Sequence, residues 1–226
     1  MSDSQASNPK YTEQQIAAIE RSLSQDRLRS YLADAGGDKC KAIVMHEQNT
    51  EISEAIFGVI QGLEISLRNT IHRTLQKGVG QDAWYDAIPM QEPEIASIIE
   101  AQQTIEGIGK TITVPRMISR LGFGFWVRLT GTAYEKTVWV PHLYRVFPMR
   151  MIRSLLYKRL WSIKELRNEI AHHERITKRN TKKDYDELLE TIRWVCPRTA
   201  EWVKATNRVE KLIQPPPTTL NLPNGS

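Results

Sequence analysis

Two imidazoles and two guanidinium groups stand within nine residues of this chain, in Arg167-Asn168-Glu169-Ile170-Ala171-His172-His173-Glu174-Arg175. Imidazole gains and loses a proton near neutral pH, and guanidinium stays charged and meets negative charge as it develops on a phosphate. The combination suits a scissile phosphodiester. On a helix Arg167 and His172 lie about 7.5 Å apart along the axis and roughly 140° apart around it, so they flank one face. Asn168, His172 and Arg175 follow one another at offsets of four and three and would stack as a stripe. The same residues also suit a solvated cationic helix end, which the helix dipole favours. Spacing alone leaves both readings open. His172, His173 and Glu174 carry ligating atoms, but their contiguity does not match H-E-x-x-H and no distant carboxylate cluster completes a shell. Neither a metal nor another cofactor is expected.

A second polar constellation is Glu64, Arg68 and His72, at successive offsets of four, with Asn69 beside Arg68. It reads first as an internal Glu-Arg ion pair. Arg68 and His72 also become phosphate-facing candidates if this helix packs against the one carrying His172. Lys178, Arg179, Lys182 and Lys183 lie just beyond the histidines. Together with Arg175 they form the expected RNA-binding set, placed to steer a polyanion toward the motif, although such a run also suits a solvated loop.

The helices that must position these groups are legible as periodicity. Thr12 and Gln15 form a capping box for a helix to Leu23, and a second helix from Asp26 to Ala35 stops at Gly36-Gly37. Ile52, Ile56, Val59, Ile60, Leu63, Leu67, Ile71 and Leu75 recur at threes and fours, predicting one long amphipathic helix that begins after Thr50 and stops near Gly78 to Gly80. A loop from Gln81 to Pro89, with Trp84 and Tyr85 as packing plugs, leads to a helix over Glu92 to Ile105. Phe123, Phe125, Trp126, Tyr134, Trp139, Tyr144 and Phe147 crowd the section from Pro115 to Pro148. They read as core, with base stacking as the alternative use.

Helices from Arg150 to Leu160 and from Ser162 to about Arg175 would carry the motif. Leu156, Leu160, Ile163, Leu166 and Ile170 would form their buried side. A final long helix, capped at Thr181, would reach toward Leu212 and end before Pro215-Pro216-Pro217. No strand alternation is sustained. An all-α domain over residues 12–212 is therefore expected, between a disordered segment at 1–11 and a flexible Pro-rich tail at 213–226.

The bulk properties agree with such a domain. The chain has 226 residues, 40% of them hydrophobic, enough to bury a full core. The formal net charge is +5, from 31 basic and 26 acidic residues, a modest excess that suits a polyanionic partner. Cys40 and Cys196 are isolated, which argues against a disulfide scaffold or a thiol enzyme. The polar N-terminus lacks the apolar core of a signal peptide, and the longest apolar stretches fall short of the roughly 18 residues of a membrane span. A cytoplasmic protein without a membrane contact is expected.

Four segments in order carry a family resemblance: Asp26-Arg27-Leu28-Arg29-Ser30-Tyr31-Leu32; Glu64 with Leu67-Arg68-Asn69; Leu121-Gly122-Phe123-Gly124-Phe125-Trp126-Val127 with Leu129; and Leu166-Arg167-Asn168-x-Ile170-Ala171-His172-His173-x-Arg175. Through them the chain resembles the Abi-like family of bacterial abortive-infection proteins, within the wider HEPN group, over about residues 20 to 180. It departs at Met45-His46-Glu47-Gln48-Asn49, where relatives carry a more aromatic Tyr-x-Trp-Asn pattern. The group's motif, an arginine followed after four to six residues by a histidine, lands on Arg167, Asn168 and His172, with His173 also in range.

The resemblance implies a HEPN-like helical bundle with additional helices and a homodimer that brings two motifs together. It further implies metal-independent endoribonuclease activity and a role in phage defence or a toxin-antitoxin system, with a cognate antitoxin or a phage-derived trigger as partner. In that chemistry His172 or His173 takes the proton of an RNA 2′-hydroxyl, and the second subunit's histidine protonates the leaving 5′ oxygen. Arg167 stabilises the phosphorane, and Asn168 holds the phosphate or orients the ring. A non-catalytic RNA- or protein-binding module is the alternative.

Overall fold

A computed structural model describes residues 10–148 and 151–213, and every described element is helical. The chain opens with α1 (Glu13–Leu23), where Thr12 and Gln15 form the expected capping box, and α2 (Gln25–Asp34). The expected disordered lead-in falls mostly on 1–9 and the flexible tail on 214–226, outside the described residues. Tyr11 donates its hydroxyl to Glu47, and Lys10 pairs with the same carboxylate.

The centre of the fold is α3 (Lys39–Val79), 41 residues and about 60 Å long. Asp38 caps it by accepting the Lys41 amide at 2.9 Å, and Gly80 closes it in the left-handed conformation at φ 81°. The helix thus begins a full three turns before Thr50. Its early part was hidden because polar residues, His46, Glu47 and Asn49, interrupt the apolar stripe. There α3 packs on α1 and α2 over a small satellite core of Leu28, Tyr31, Ala35 and Ala42.

The main core gathers on the later part of α3, where all eight of the periodic residues except Ile52 are buried. Around it lie α4 (Glu92–Gly107), α5 (Val114–Arg120) and α6 (Phe123–Arg128). A π-helical segment over Glu135–Leu143 follows, with Pro141 inside it. Six of the seven aromatic residues between Phe123 and Phe147 are buried and Tyr144 alone is exposed, so this cluster serves packing.

Helix α7 (Arg153–Ala171) is continuous through Trp161 and Ser162, where a break was expected, because neither residue interrupts the helix and Leu160 and Ile163 keep the buried stripe in register. It packs on α8 (Thr181–Val195), and α9 (Pro197–Thr206) and α10 (Val209–Ile213) follow, each against α8 and α3, in place of the single long helix expected. The first break is set by Pro197, which drives Cys196 into extended backbone at φ −158°, ψ 108°. The second is held by Asn207, whose amide donates to the Tyr185 hydroxyl and the Val203 carbonyl while its oxygen accepts from Val209 N–H. Asn180, rather than Thr181, caps α8.

No described helix is long and apolar enough to cross a membrane.

Candidate functional site

Helix α7 stops one residue short of the histidines. His172 is its C-cap and His173 takes the left-handed conformation at φ 58°. The His173 N–H reaches the Ile170 carbonyl at 2.9 Å, and the Glu174 N–H reaches Glu169 at 2.8 Å. These two bonds are a Schellman closure, a geometry that normally recruits glycine, as Gly36 does after α2 and Gly109 after α4. A β-carbon in that conformation costs roughly 1–2 kcal/mol. The expected helical stripe of Asn168, His172 and Arg175 therefore does not form, because Arg175 lies beyond the turn.

The strained turn is clamped from two helices. Asn49, 5% exposed, donates its amide to the Glu174 carbonyl at 3.2 Å and accepts the Thr177 N–H at 3.1 Å. Arg27 donates to the His173 carbonyl. Arg175 donates to the Ser30 carbonyl at 2.7 Å, pairs with Asp34 at 2.8 Å, and lays its guanidinium 4.2 Å from the Tyr31 ring centre. Its charge is spent on binding the turn to α2. His46 packs against Tyr31 in a T-shaped arrangement, 5.4 Å between centroids.

Against this turn lies a cleft of about 700 Å³, walled by Arg27, His46, Asn49, Thr50, Ser53, Phe57, Ala171 and His173 among others. Both histidines of the pair are exposed, and His173 rather than His172 lines the cleft. The Ser53 hydroxyl, also on the wall, is buried without a hydrogen-bond partner among the described residues. Phe57 connects the cleft to the motif's arginine, since the Arg167 guanidinium lies 6.0 Å from its ring centre. Arg167 also faces Glu64 at 3.4 Å, across from α7 to α3. Asn168 follows it on α7, half-buried. The non-glycine residues of positive φ among those described are His173 and Ser24, and Ser24 directly follows Leu23, another wall residue.

The polar ladder on α3 divides in an unforeseen way. Glu64 pairs with Arg167 rather than with Arg68, which turns its Nε to the neighbouring Asn69 oxygen at 3.3 Å. Burial pushes the Glu64 carboxyl up, against the pull of Arg167 and Arg68. His72 accepts the Trp84 indole N–H at Nδ1, 3.0 Å away, and burial holds it below its ordinary value. This is a packing contact.

The basic run beyond the motif is largely self-neutralised. Arg179 grips Asp184 through two nitrogens and reaches Glu169 at 2.9 Å, and Lys182 pairs with Asp186. Lys178 and Lys183 are exposed and form no ion pair among the described residues. No cluster of three or more His, Cys, Asp or Glu side chains able to hold a metal occurs among them either.

Arg27, His46, Asn49, Ser53 and Phe57 are the site residues that sequence reasoning missed. Four of them carried a signal: positions 46, 49, 53 and 57 follow at offsets of three and four, one face of a helix. Extending the helix before Thr50 would have exposed it. A second cleft, of about 730 Å³ between α3 and α9, holds none of the histidine motif. No protein-family model, curated protein or solved structure matches the chain.

Proposed function

We propose that the protein is a metal-independent endoribonuclease of the HEPN type, acting in phage defence or in a toxin-antitoxin system. The observation that carries this reading is the turn after α7: a histidine occupies a position that favours glycine, and side chains from α2 and α3 hold it there. Strain sustained by surrounding contacts is characteristic of sites where a side chain must be aimed. Here it brings His173 to a cleft that Phe57 joins to Arg167.

In this reading RNA lies along the cleft and the exposed end of α7. A histidine of the 172–173 pair moves protons, Arg167 leaves Glu64 to meet charge on the phosphorus, and Asn168 contacts the phosphate. Attack by the 2′ oxygen yields a 2′,3′-cyclic phosphate and a 5′-hydroxyl, so DNA is not cut. A homodimer would bring two motifs together, and a cognate antitoxin or phage-derived trigger would control them. Lys178 and Lys183 are the cations of the basic run left free to meet the RNA backbone.

The second reading, a binding module without turnover, is favoured by one observation: Arg175 and Arg179 are committed to ion pairs within the chain. Incubating labelled RNA with the purified protein in excess chelator separates the two. Cyclic-phosphate ends support the nuclease, and retention of intact RNA supports the module.

A further inference from the structure

Cleavage by 2′-hydroxyl attack needs two proton-transfer groups on opposite sides of the phosphorus, and the cleft beside the α7 turn is lined by two histidines. His46 comes from α3 and His173 from the turn, and both line the cleft. Arg27 joins them: its guanidinium donates to the His173 carbonyl and its charge acts on His46.

We propose that His46 is a catalytic residue, the general base for the 2′-hydroxyl, with His173 of the same chain as the general acid. This rests on the ribonuclease reading of the site. His46 takes the 2′-hydroxyl proton as the 2′ oxygen bonds to phosphorus. The bond from phosphorus to the 5′ oxygen breaks, and His173 gives its proton to that oxygen. One proton has then moved from His173 to His46, and exchange with water restores both.

The surroundings suit a base. Burial is the main influence lowering the His46 pKa, the Arg27 charge adds to it, and Glu47 opposes. The ring is therefore neutral and able to accept a proton at pH 7. The Tyr31 ring edge fixes its plane from α2. Arg27, Glu47 and His173 are the charged or titratable groups around it, with Tyr31.

The test compares single-turnover RNA cleavage by the full chain with that of His46→Gln, His46→Ala and His173→Gln. Thermal unfolding and RNA binding by anisotropy are measured on each. His46→Gln is expected to lose about 10²–10³-fold in rate, in the range of general-base catalysis, with binding and unfolding nearly unchanged. The acidic limb of the pH–rate profile should disappear, and free imidazole should restore part of the His46→Ala rate. Chains of His46→Ala and His173→Ala, refolded together, should stay inactive. Recovered activity in that mixture would place the pair across two chains and overturn the assignment. A wild-type chain that cuts RNA while both His46 variants keep its rate overturns it as well, and leaves the ribonuclease reading intact. A wild-type chain that cuts no RNA overturns both.

Discussion

Glu64 on α3 and Arg167 on α7 face each other at 3.4 Å, and this ion pair ties the motif's arginine to the central helix. The separation is at the long end for a hydrogen bond. Burial raises the Glu64 carboxyl even with Arg167 beside it, so the carboxylate is an uneasy partner. A phosphate can therefore compete for the guanidinium. Glu64→Gln should bind RNA several-fold more tightly at low salt, with the gain fading as salt rises. Arg167→Ala should lose about 10²–10³-fold in cleavage, the usual cost of removing one donor to a developing oxyanion. Anisotropy titrations at two salt concentrations check the first, and initial rates the second. Unchanged affinity in Glu64→Gln would mean that the pair does not restrain Arg167.

His173→Gly should stabilise the fold while removing cleavage. The left-handed turn at φ 58° costs a histidine more than a glycine, so relief of about 1 kcal/mol is expected in urea denaturation. Loss of stability would show that the ring's contacts outweigh the strain.

Asn49→Ala should unfold more easily by roughly 1–3 kcal/mol, because it removes both hydrogen bonds to the turn. Cleavage should fall with it even under conditions where the chain is fully folded. Normal activity in the folded variant would show that the turn holds itself.

His46 and His72 together set a pH dependence of stability. Burial, the first cause in each, holds both below the ordinary imidazole value of 6.5, with Arg27 adding to it at His46 and Asp82 opposing it at His72. As pH falls through 6.5 the unfolded chain takes up protons that the folded chain still refuses, so stability drops. The loss levels off once the folded-state values are passed. Melting temperatures between about pH 7.5 and about pH 5.5 should fall in the wild type and fall less in His46→Gln/His72→Gln. An equal fall in both would assign the effect to other groups.

The helical class and the main core were legible because apolar residues of α3 and α7 repeat at helical spacing and are buried as that repeat requires. Two local features were not. The start of α3 was obscured by Asn49, a polar residue on the core side, whose reason for burial lies 125 residues away at Glu174. The end of α7 was obscured because the turn there uses His173 instead of glycine, the residue by which such stops are recognised. At the candidate site, Arg167, Asn168 and His173 stand out in the sequence by residue type alone. The cleft was not, since it joins α2, α3 and α7 through contacts that no sequence spacing encodes. The sequence does not show that Arg175 and Arg179 are engaged within the chain, because their partners, Asp34, Glu169 and Asp184, become neighbours only in the fold.

The most direct test of the central claim is cleavage of a labelled mixed-sequence RNA in excess EDTA, by the wild type beside His172→Ala and His173→Ala, with end-group analysis. The account expects 2′,3′-cyclic phosphate and 5′-hydroxyl ends from the wild type, and their loss in His173→Ala, because His173 is the member of the pair that lines the cleft. Intact RNA across a range of substrates, bound by a folded protein, would contradict it and leave a binding module.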